Sequence, residues 1–426
     1  MPADFTALYT DRYELTMLRA ALADGTAYRH CSFEVFGRRL PGGRRFGVVA
    51  GVGRLLDAIA DFRFSAEQID ELVAGGVIDR PTADYLSEYR FQGDIVGYAE
   101  GETYFPYSPI LSVSGTFAEA VLLETLVLSV LNHDSAIAAG AARMVIAAAG
   151  RPIIEMGSRR THEEAAVAAA RAAHLVGFAS TSNLAAGARY GIPTAGTAAH
   201  AFTLLHDTEE AAFASQIAAA GVSTTLLVDT YDISRGIDRA IAVAGTGLGA
   251  VRIDSGDLAV MAHRSRAQLD ALGATGTKIV VSGDLDEFSI AALAAAPVDV
   301  YGAGTAVVVG SGAPTAGLVY KLVEVDGRPV EKRSENKGSQ GGRKLAYRRH
   351  LPSGIATDEL VTLQSSDFRP GPLDRPLSIA LMQRGEVVNP QLLAESRVLH
   401  RDSISTLPWE AVKLSAGDPG LQVVHS

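Results

Sequence analysis

Aspartates recur at the ends of short apolar runs: Asp229 and Asp232 in VDTYD, Asp254 and Asp257 in RIDSGD, and Asp284 in SGD. On successive strand ends these carboxylates would form a ring whose mutual repulsion needs compensation. Arginine side chains, or a hydrated Mg2+ bridging substrate phosphates, would supply it. Arg252 stands two residues before Asp254, so both project from one face of a strand. There a guanidinium can fork onto a carboxylate or phosphate, or form an internal ion pair that supports the fold. A second cationic point is Ser158-Arg159-Arg160, which opens a helical pattern. Arginine beside the positive end of a helix is unfavourable unless an anion is present. GAGT (302–305) and SGD (282–284) follow neighbouring apolar runs, and their small residues leave backbone N–H groups open to an anion. Either alone would be a tight turn; together they have the form of a phosphate cup at the last strands of a barrel. His200 closes AGTAAH at the same rim. A lone histidine is more often a structural hydrogen-bonder, but beside acids and phosphates a nucleophilic or acid–base role is open. His162, His174 and His206 fall within helical patterns and read as structural.

These residues need a frame that gathers strand ends. From Thr116 onward, Ala-rich helical patterns alternate with short β-branched runs, which argues for a parallel sheet. Seven runs end in polar or Gly-rich residues: GSRR, STSN, GTAAH, DTYD, DSGD, SGDLD and GAGT. An open doubly wound sheet needs such ends only near its switch point, whereas a barrel brings all of them to one mouth. An α/β barrel is therefore expected over 116–315. Residues 1–115 read as a mixed α+β domain. It has a helix within 8–22, a strand at CSFEVF, a capping box at Ser65 and Gln68, and several antiparallel strands over 93–115. In 316–426, AGLVYKLVEVDGRPV reads as a hairpin about Asp326-Gly327, followed by a basic loop at 332–344. LAYRRH and ELVTLQ read as strands that rejoin the N-terminal sheet.

Composition sets the outer limits. The 426 residues are 47% hydrophobic and 20% charged, an ordinary globular balance. A net charge of −10 argues against a nucleic-acid partner, whose footprint is a basic excess. The single cysteine, Cys31, rules out a disulfide framework or a Cys-based zinc site within one chain, and a cytoplasmic location is expected. No apolar leader opens the sequence, and the run Ala118–Leu131, interrupted by Glu119 and Glu124, reads as a buried helix and not a membrane span. There is no Walker loop and no H-E-x-x-H; GTGLGA (245–250) follows a helix and precedes a strand, the wrong order for a dinucleotide loop. The residues alone thus describe an α/β-barrel enzyme acting on a phosphorylated, anionic small molecule with Mg2+. The competing class is a non-enzymatic anion-binding protein, which the carboxylates disfavour.

The motifs, taken in order, resemble the nicotinate phosphoribosyltransferase family. The stretches are YTDRYELTM (9–17), FEVFGRRLPGGRRFGVVAG (33–51), EMGSRRTHEEAA (155–166), GFASTSN (177–183), GIPTAGTAAHAF (191–202), LLVDTYD (226–232), VRIDSGD (251–257), VSGDLDE (281–287) and YGAGTAV (301–307). The resemblance implies condensation of nicotinate with 5-phosphoribosyl 1-pyrophosphate to nicotinate mononucleotide and pyrophosphate, coupled to ATP hydrolysis through a phosphohistidine. It implies an irregular α/β barrel of the type II phosphoribosyltransferase kind, with a sandwich-like α+β domain built from both chain ends. It also implies a homodimer with shared active sites. By the same resemblance His200 is the phosphorylated histidine, Thr197 a nicotinate contact, Tyr13 the ring-stacking tyrosine that enters the partner's site, and Arg252 the cation at the nicotinate carboxylate, with Asp254 beside it. Arg159 and Thr305 contact the phosphoribosyl pyrophosphate; Gly283, Asp284 and Gly304 line the same cup; Asp229 and Asp257 serve Mg2+ or ribose hydroxyls. Ser182 stands where nicotinamide-using relatives carry an aspartate, so nicotinate is expected over nicotinamide and quinolinate. The chain departs from the pattern at Met156, where relatives usually carry an aromatic, and in the basic loop, which lacks a Pro before its Gly pair.

Overall fold

The computed structural model describes residues 3–332 and 340–426, so part of the basic loop, 333–339, lies outside the described residues. The chain forms two compact units, one from 1–139 with 313–426 and the other from 140–312. The division falls inside the helix Glu124–Ala148, not at the start of the α/β pattern near 116. The helical stretch Phe117–Ala148 is long and apolar enough to cross a membrane, but 67% of its most apolar window is buried inside the fold, as the sequence reading required.

The first unit is α+β. A seven-stranded antiparallel sheet runs in the order 328–329, 318–325, 30–37, 111–116, 94–98, 378–383, 386–387. The strand His30–Gly37 lies inside the sheet, buried along its length except at His30; Cys31, Phe33 and Val35 make one face apolar, and on the other Ser32 bonds Ser114 and Glu34 pairs with Lys344. The hairpin turn carries positive φ at Asp326 (48°) and Gly327 (74°), the geometry that matches the twist of its strands. The capping box forms as expected: Ser65 Oγ accepts from Gln68 N, and Gln68 Oε1 accepts from Ser65 N.

The two later strands do not rejoin that sheet. Lys344–His350 pairs with Ala356–Leu363, and Asp374–Pro376 and Gln422–His425 complete a separate four-stranded sheet. The positions beside the N-terminal strands are taken by Leu318–Val325 and Ser378–Gln383. A buried charge pair fixes the alternative pairing. Arg348 stands opposite Glu359 in the ladder, and its Nη2 donates to Glu359 Oε2 at 3.0 Å and to Thr103 O at 2.8 Å. Its Nη1 donates to Thr103 Oγ1 and Glu102 Oε1, and the guanidinium lies over the Phe105 ring. Burial pushes Glu102 upward, yet Arg348 and Arg375 hold its carboxyl below the usual range.

The second unit carries six parallel strands: β1 (Ile153–Glu155), β2 (Ser180–Thr181), β3 (Thr225–Leu227), β4 (Ala250–Ile253), β5 (Lys278–Ser282) and β6 (Val300–Ala303). Their order is β2-β1-β6-β5-β4-β3, the cyclic order of a barrel whose ladder is cut on one side. The seventh expected strand, in IPTAGTAAH, shrinks to a single parallel bridge between Thr181 and Thr194. Pro193 has no N–H to donate, and Ala195-Gly196 offers little side chain to pack, so no longer strand forms there. This is an irregular α/β barrel.

Removing Arg348 would leave Glu359 buried without its cation and Glu102 with Arg375 alone. Arg348→Met should lower unfolding stability by about 3–5 kcal/mol in urea titrations, and adding Glu359→Gln to that variant should recover part of the loss.

Candidate active site

The C-terminal ends of β3, β4 and β5 converge on Arg252. This side chain is only 14% exposed and donates three hydrogen bonds: Nε to Ser282 Oγ (2.8 Å), Nη1 to Thr197 Oγ1 (2.9 Å) and Nη2 to Asp254 Oδ1 (3.0 Å). The expected ion pair with Asp254 forms, and the three bonds use three of the five guanidinium N–H groups. Ser282 Oγ also donates to Asp254 Oδ1, which closes a small ring around the cation. β4 can hold Arg252 this firmly because parallel neighbours flank it on both sides, with Leu227 and Val280 as its ladder partners.

Asp229 stands two residues past the end of β3 and is buried, its side chain 1% exposed. Its Oδ2 accepts from Asp254 N and Ser255 Oγ, both at 2.8 Å, so it fastens the loop after β4 to the end of β3. Its Oδ1 has no hydrogen-bond partner. His200 Nε2 lies 4.0 Å from that oxygen, and His200 Nδ1 lies 3.2 Å from Thr230 Oγ1. The imidazole is 44% exposed at the first position of a short helix, His200–Leu205. Each ring nitrogen therefore has one polar neighbour, Asp229 on the Nε2 side and Thr230 on the Nδ1 side.

β1 and β2 form a second cluster. Glu155 is buried and accepts from Gly157 N and from Thr181 Oγ1 (2.5 Å); burial pushes its carboxyl up, against the pull of those two donors. Asn183 Nδ2 donates to Ser158 Oγ (3.0 Å), and Ser182 N donates to Glu155 O (2.8 Å). Ser182 and Arg159 are thereby held on linked loops, both exposed. Met156 lies across Gly302, where a Cβ would come within 2.9 Å of its sulfur. The small residue lets the thioether sit flat on β6.

The loops expected to hold phosphate are tightly wound. Gly283 has φ +113°, and an added Cβ would approach the Asp254 carbonyl to 2.9 Å; Asp284 follows with φ +40°. A Cβ on Gly304 would stand 3.0 Å from Met156 O, and Thr305 starts a four-residue helix. The expected ring of five carboxylates resolves into separate jobs. Asp232 and Asp257 are N-caps, accepting from Arg235 N (2.9 Å) and Val260 N (3.1 Å). Asp254 pairs with Arg252, Asp229 is buried, and Asp284 is exposed. Among the described residues no three His, Cys, Asp or Glu side chains group so as to hold a metal ion. Tyr13 belongs to the first unit, on the helix Arg12–Asp24. Of the other histidines, His162 caps a helix, while His174 and His206 bond backbone carbonyls. Sequence reasoning missed Ser282, Thr230 and Glu155 as supports. Ser282 and Thr230 adjoin residues it did select, which was the available signal.

The chain matches a family model described as nicotinate phosphoribosyltransferase N-terminal domain over residues 8–132, and one described as nicotinate phosphoribosyltransferase family over 152–350. It is 59% identical to a nicotinate phosphoribosyltransferase of Mycobacterium tuberculosis, over 98% of this chain and 95% of that one. A crystal structure of human nicotinic acid phosphoribosyltransferase superposes with a TM-score of 0.85 at 28% identity, covering 98% of this chain and 97% of that one. The fold is also shared with a nicotinate-nucleotide pyrophosphorylase from Pyrococcus furiosus, with a TM-score of 0.80 at 24% identity over 95% and 96% of the two chains.

The capping role of Asp257 can be measured directly. Asp257→Ala should cost about 1 kcal/mol of stability by thermal or urea unfolding, while Asp257→Ser, which keeps a cap acceptor, should lose far less.

Proposed function

Because the chain belongs to the nicotinate phosphoribosyltransferase family, we propose that it condenses nicotinate with 5-phosphoribosyl 1-pyrophosphate in NAD biosynthesis. The observation that carries this reading is Arg252, a cation held by three side chains with two N–H groups to spare at a strand end. A nicotinate carboxylate fits such a fork, and Ser182 offers a hydroxyl that can donate to it, where a carboxylate would repel it. The pyridine nitrogen then attacks the anomeric carbon of the ribose. The C–N bond forms as the C–O bond to pyrophosphate breaks, and the electron pair leaves on pyrophosphate. The turns at Gly283-Asp284 and Gly304-Thr305, with Arg159, offer backbone N–H groups and a cation to the phosphates.

The proposal includes ATP as a second substrate. With its proton on Nε2 facing Asp229, the His200 ring attacks the γ-phosphorus through Nδ1 and ADP departs. Asp229 answers the positive charge left on the ring, and later hydrolysis of the P–N bond restores the imidazole. Mg2+ usually binds through one or two carboxylates plus substrate phosphates, and the unpartnered Oδ1 of Asp229 and the exposed carboxyl of Asp257 fit that need. The ion would neutralise charge on the departing pyrophosphate. The reading extends to a cytoplasmic homodimer in which Tyr13, 43% exposed, stacks on the nicotinate ring in the partner's site.

Purified protein assayed with nicotinate, nicotinamide and quinolinate, with and without ATP, should turn over nicotinate best and respond to ATP. Loss of a cation from a buried carboxylate pair costs on the order of 2–5 kcal/mol, so Arg252→Ala should lower kcat/KM for nicotinate at least about 30-fold. Equal turnover of nicotinamide would overturn the assignment. With γ-labelled ATP the protein should gain an acid-labile label that His200→Asn abolishes. Coexpressed Tyr13→Ala and His200→Asn subunits should regain partial activity that neither has alone.

A further inference from the structure

Ser282 closes β5, and none of the chemistry above uses it. It is buried, 3% exposed, so its hydroxyl must find partners inside the fold. Strand register decides which. Val280 and Val281 stand opposite Arg252 and Ile253 of β4, so Ser282 follows beside Asp254, on the face that carries Arg252. Its partner on β6 is Gly302, which offers no side chain. The hydroxyl therefore turns to β4.

The bond directions follow from the groups themselves. Arginine can only donate, so Arg252 Nε–H takes a lone pair of Ser282 Oγ at 2.8 Å. The hydroxyl proton of Ser282 goes to Asp254 Oδ1, which also accepts from Arg252 Nη2 at 3.0 Å. In a planar guanidinium, Nε–H and one N–H of Nη2 point the same way, so Ser282 and Asp254 together fill that side edge. A ligand carboxylate is left the outer edge, between Nη1 and Nη2, where Nη1 also reaches Thr197 Oγ1 at 2.9 Å. The hazard is the acid beside the cation. The Asp254 side chain is 32% exposed, and swung across the outer edge it would compete for the same N–H groups and repel an incoming anion. Ser282 gives it a second donor on the side edge.

We propose that Ser282 is a positioning residue for carboxylate recognition: by spanning Arg252 Nε and Asp254 Oδ1 it pins the acid to the side edge and reserves the outer edge for the substrate. This rests on the reading that Arg252 receives the nicotinate carboxylate. A carboxylate gripped alike in the ground and transition states acts on KM and leaves kcat intact.

Steady-state kinetics on Ser282→Ala, Ser282→Cys, Ser282→Ala/Asp254→Asn and Arg252→Ala test this, with melting curves on each. Ser282→Ala should raise KM for nicotinate about 10-fold, the order of one hydrogen bond to a charged group, with kcat and KM for 5-phosphoribosyl 1-pyrophosphate within about twofold. Ser282→Cys fills the same space with a weak donor and acceptor, so it should behave like Ser282→Ala. Adding Asp254→Asn to Ser282→Ala should recover at least about threefold in KM, because the released side chain no longer carries charge. Wild-type kinetics in Ser282→Cys would mean that only packing matters and overturns the proposal. So does a loss in Ser282→Ala that falls on kcat or equally on both KM values, or the absence of recovery in the double variant. If Arg252→Ala leaves nicotinate kinetics unchanged, the reading of Arg252 fails and the role of Ser282 with it. If Arg252→Ala is impaired while both Ser282 variants are silent, only the role of Ser282 fails. Should Ser282→Ala not fold, Ser282→Cys still decides the outcome.

Discussion

Arg252 is charged and nearly enclosed, and the function proposed for it requires that it still receive a ligand. An enclosed guanidinium is stable only if its donors are satisfied, yet a fully satisfied one binds nothing. The barrel resolves this by splitting the donors. Ser282, Thr197 and Asp254 take three of them, from the end of β5, the loop before His200 and the end of β4. Asp229 then anchors the Asp254 backbone, and its other oxygen faces His200. The cation, the imidazole and the buried acid are thus one connected network, and moving any strand end disturbs all three.

The first unit meets the same constraint without a ligand. Arg348 reaches Glu359, Glu102 and Thr103 from three different elements, and Lys344 lies buried against both oxygens of Glu34. Buried charges of this kind discriminate between pairings more than they stabilise one. That fits the C-terminal strands, whose apolar alternation alone would suit either sheet.

Local and periodic features were legible in the sequence. The decorated strand ends gave the barrel, the two-residue spacing put Arg252 and Asp254 on one face, and Asp326-Gly327 marked its hairpin. Contacts that join distant residues were not legible. Ser282 meets Arg252 only because β5 and β4 are neighbours in register, and Arg348 meets Glu102 across 246 positions. The choice of sheet for Lys344–His350 depended on such a contact and was misread. Asp232 and Asp257 were legible in principle, since each precedes a helical pattern as an N-cap should, a local signal that the ring of acids overlaps.

The cut in the barrel ladder divides the mouth into stiff and compliant parts. A closed ring of hydrogen bonds resists displacement everywhere, whereas a strip yields at its ends. Arg252 is inside the strip, flanked by ladders on both sides. The segment leading to His200 hangs from one end, beyond Thr194, with Ala195 N to Thr181 O as its last backbone bond to the sheet and Thr197 Oγ1 tied by its side chain to Arg252. The cation is therefore set in a rigid seat between two ladders. The imidazole stands beyond the end of the strip, where side-chain ties from Thr197 to Arg252 and from His200 to Thr230 replace the missing ladder.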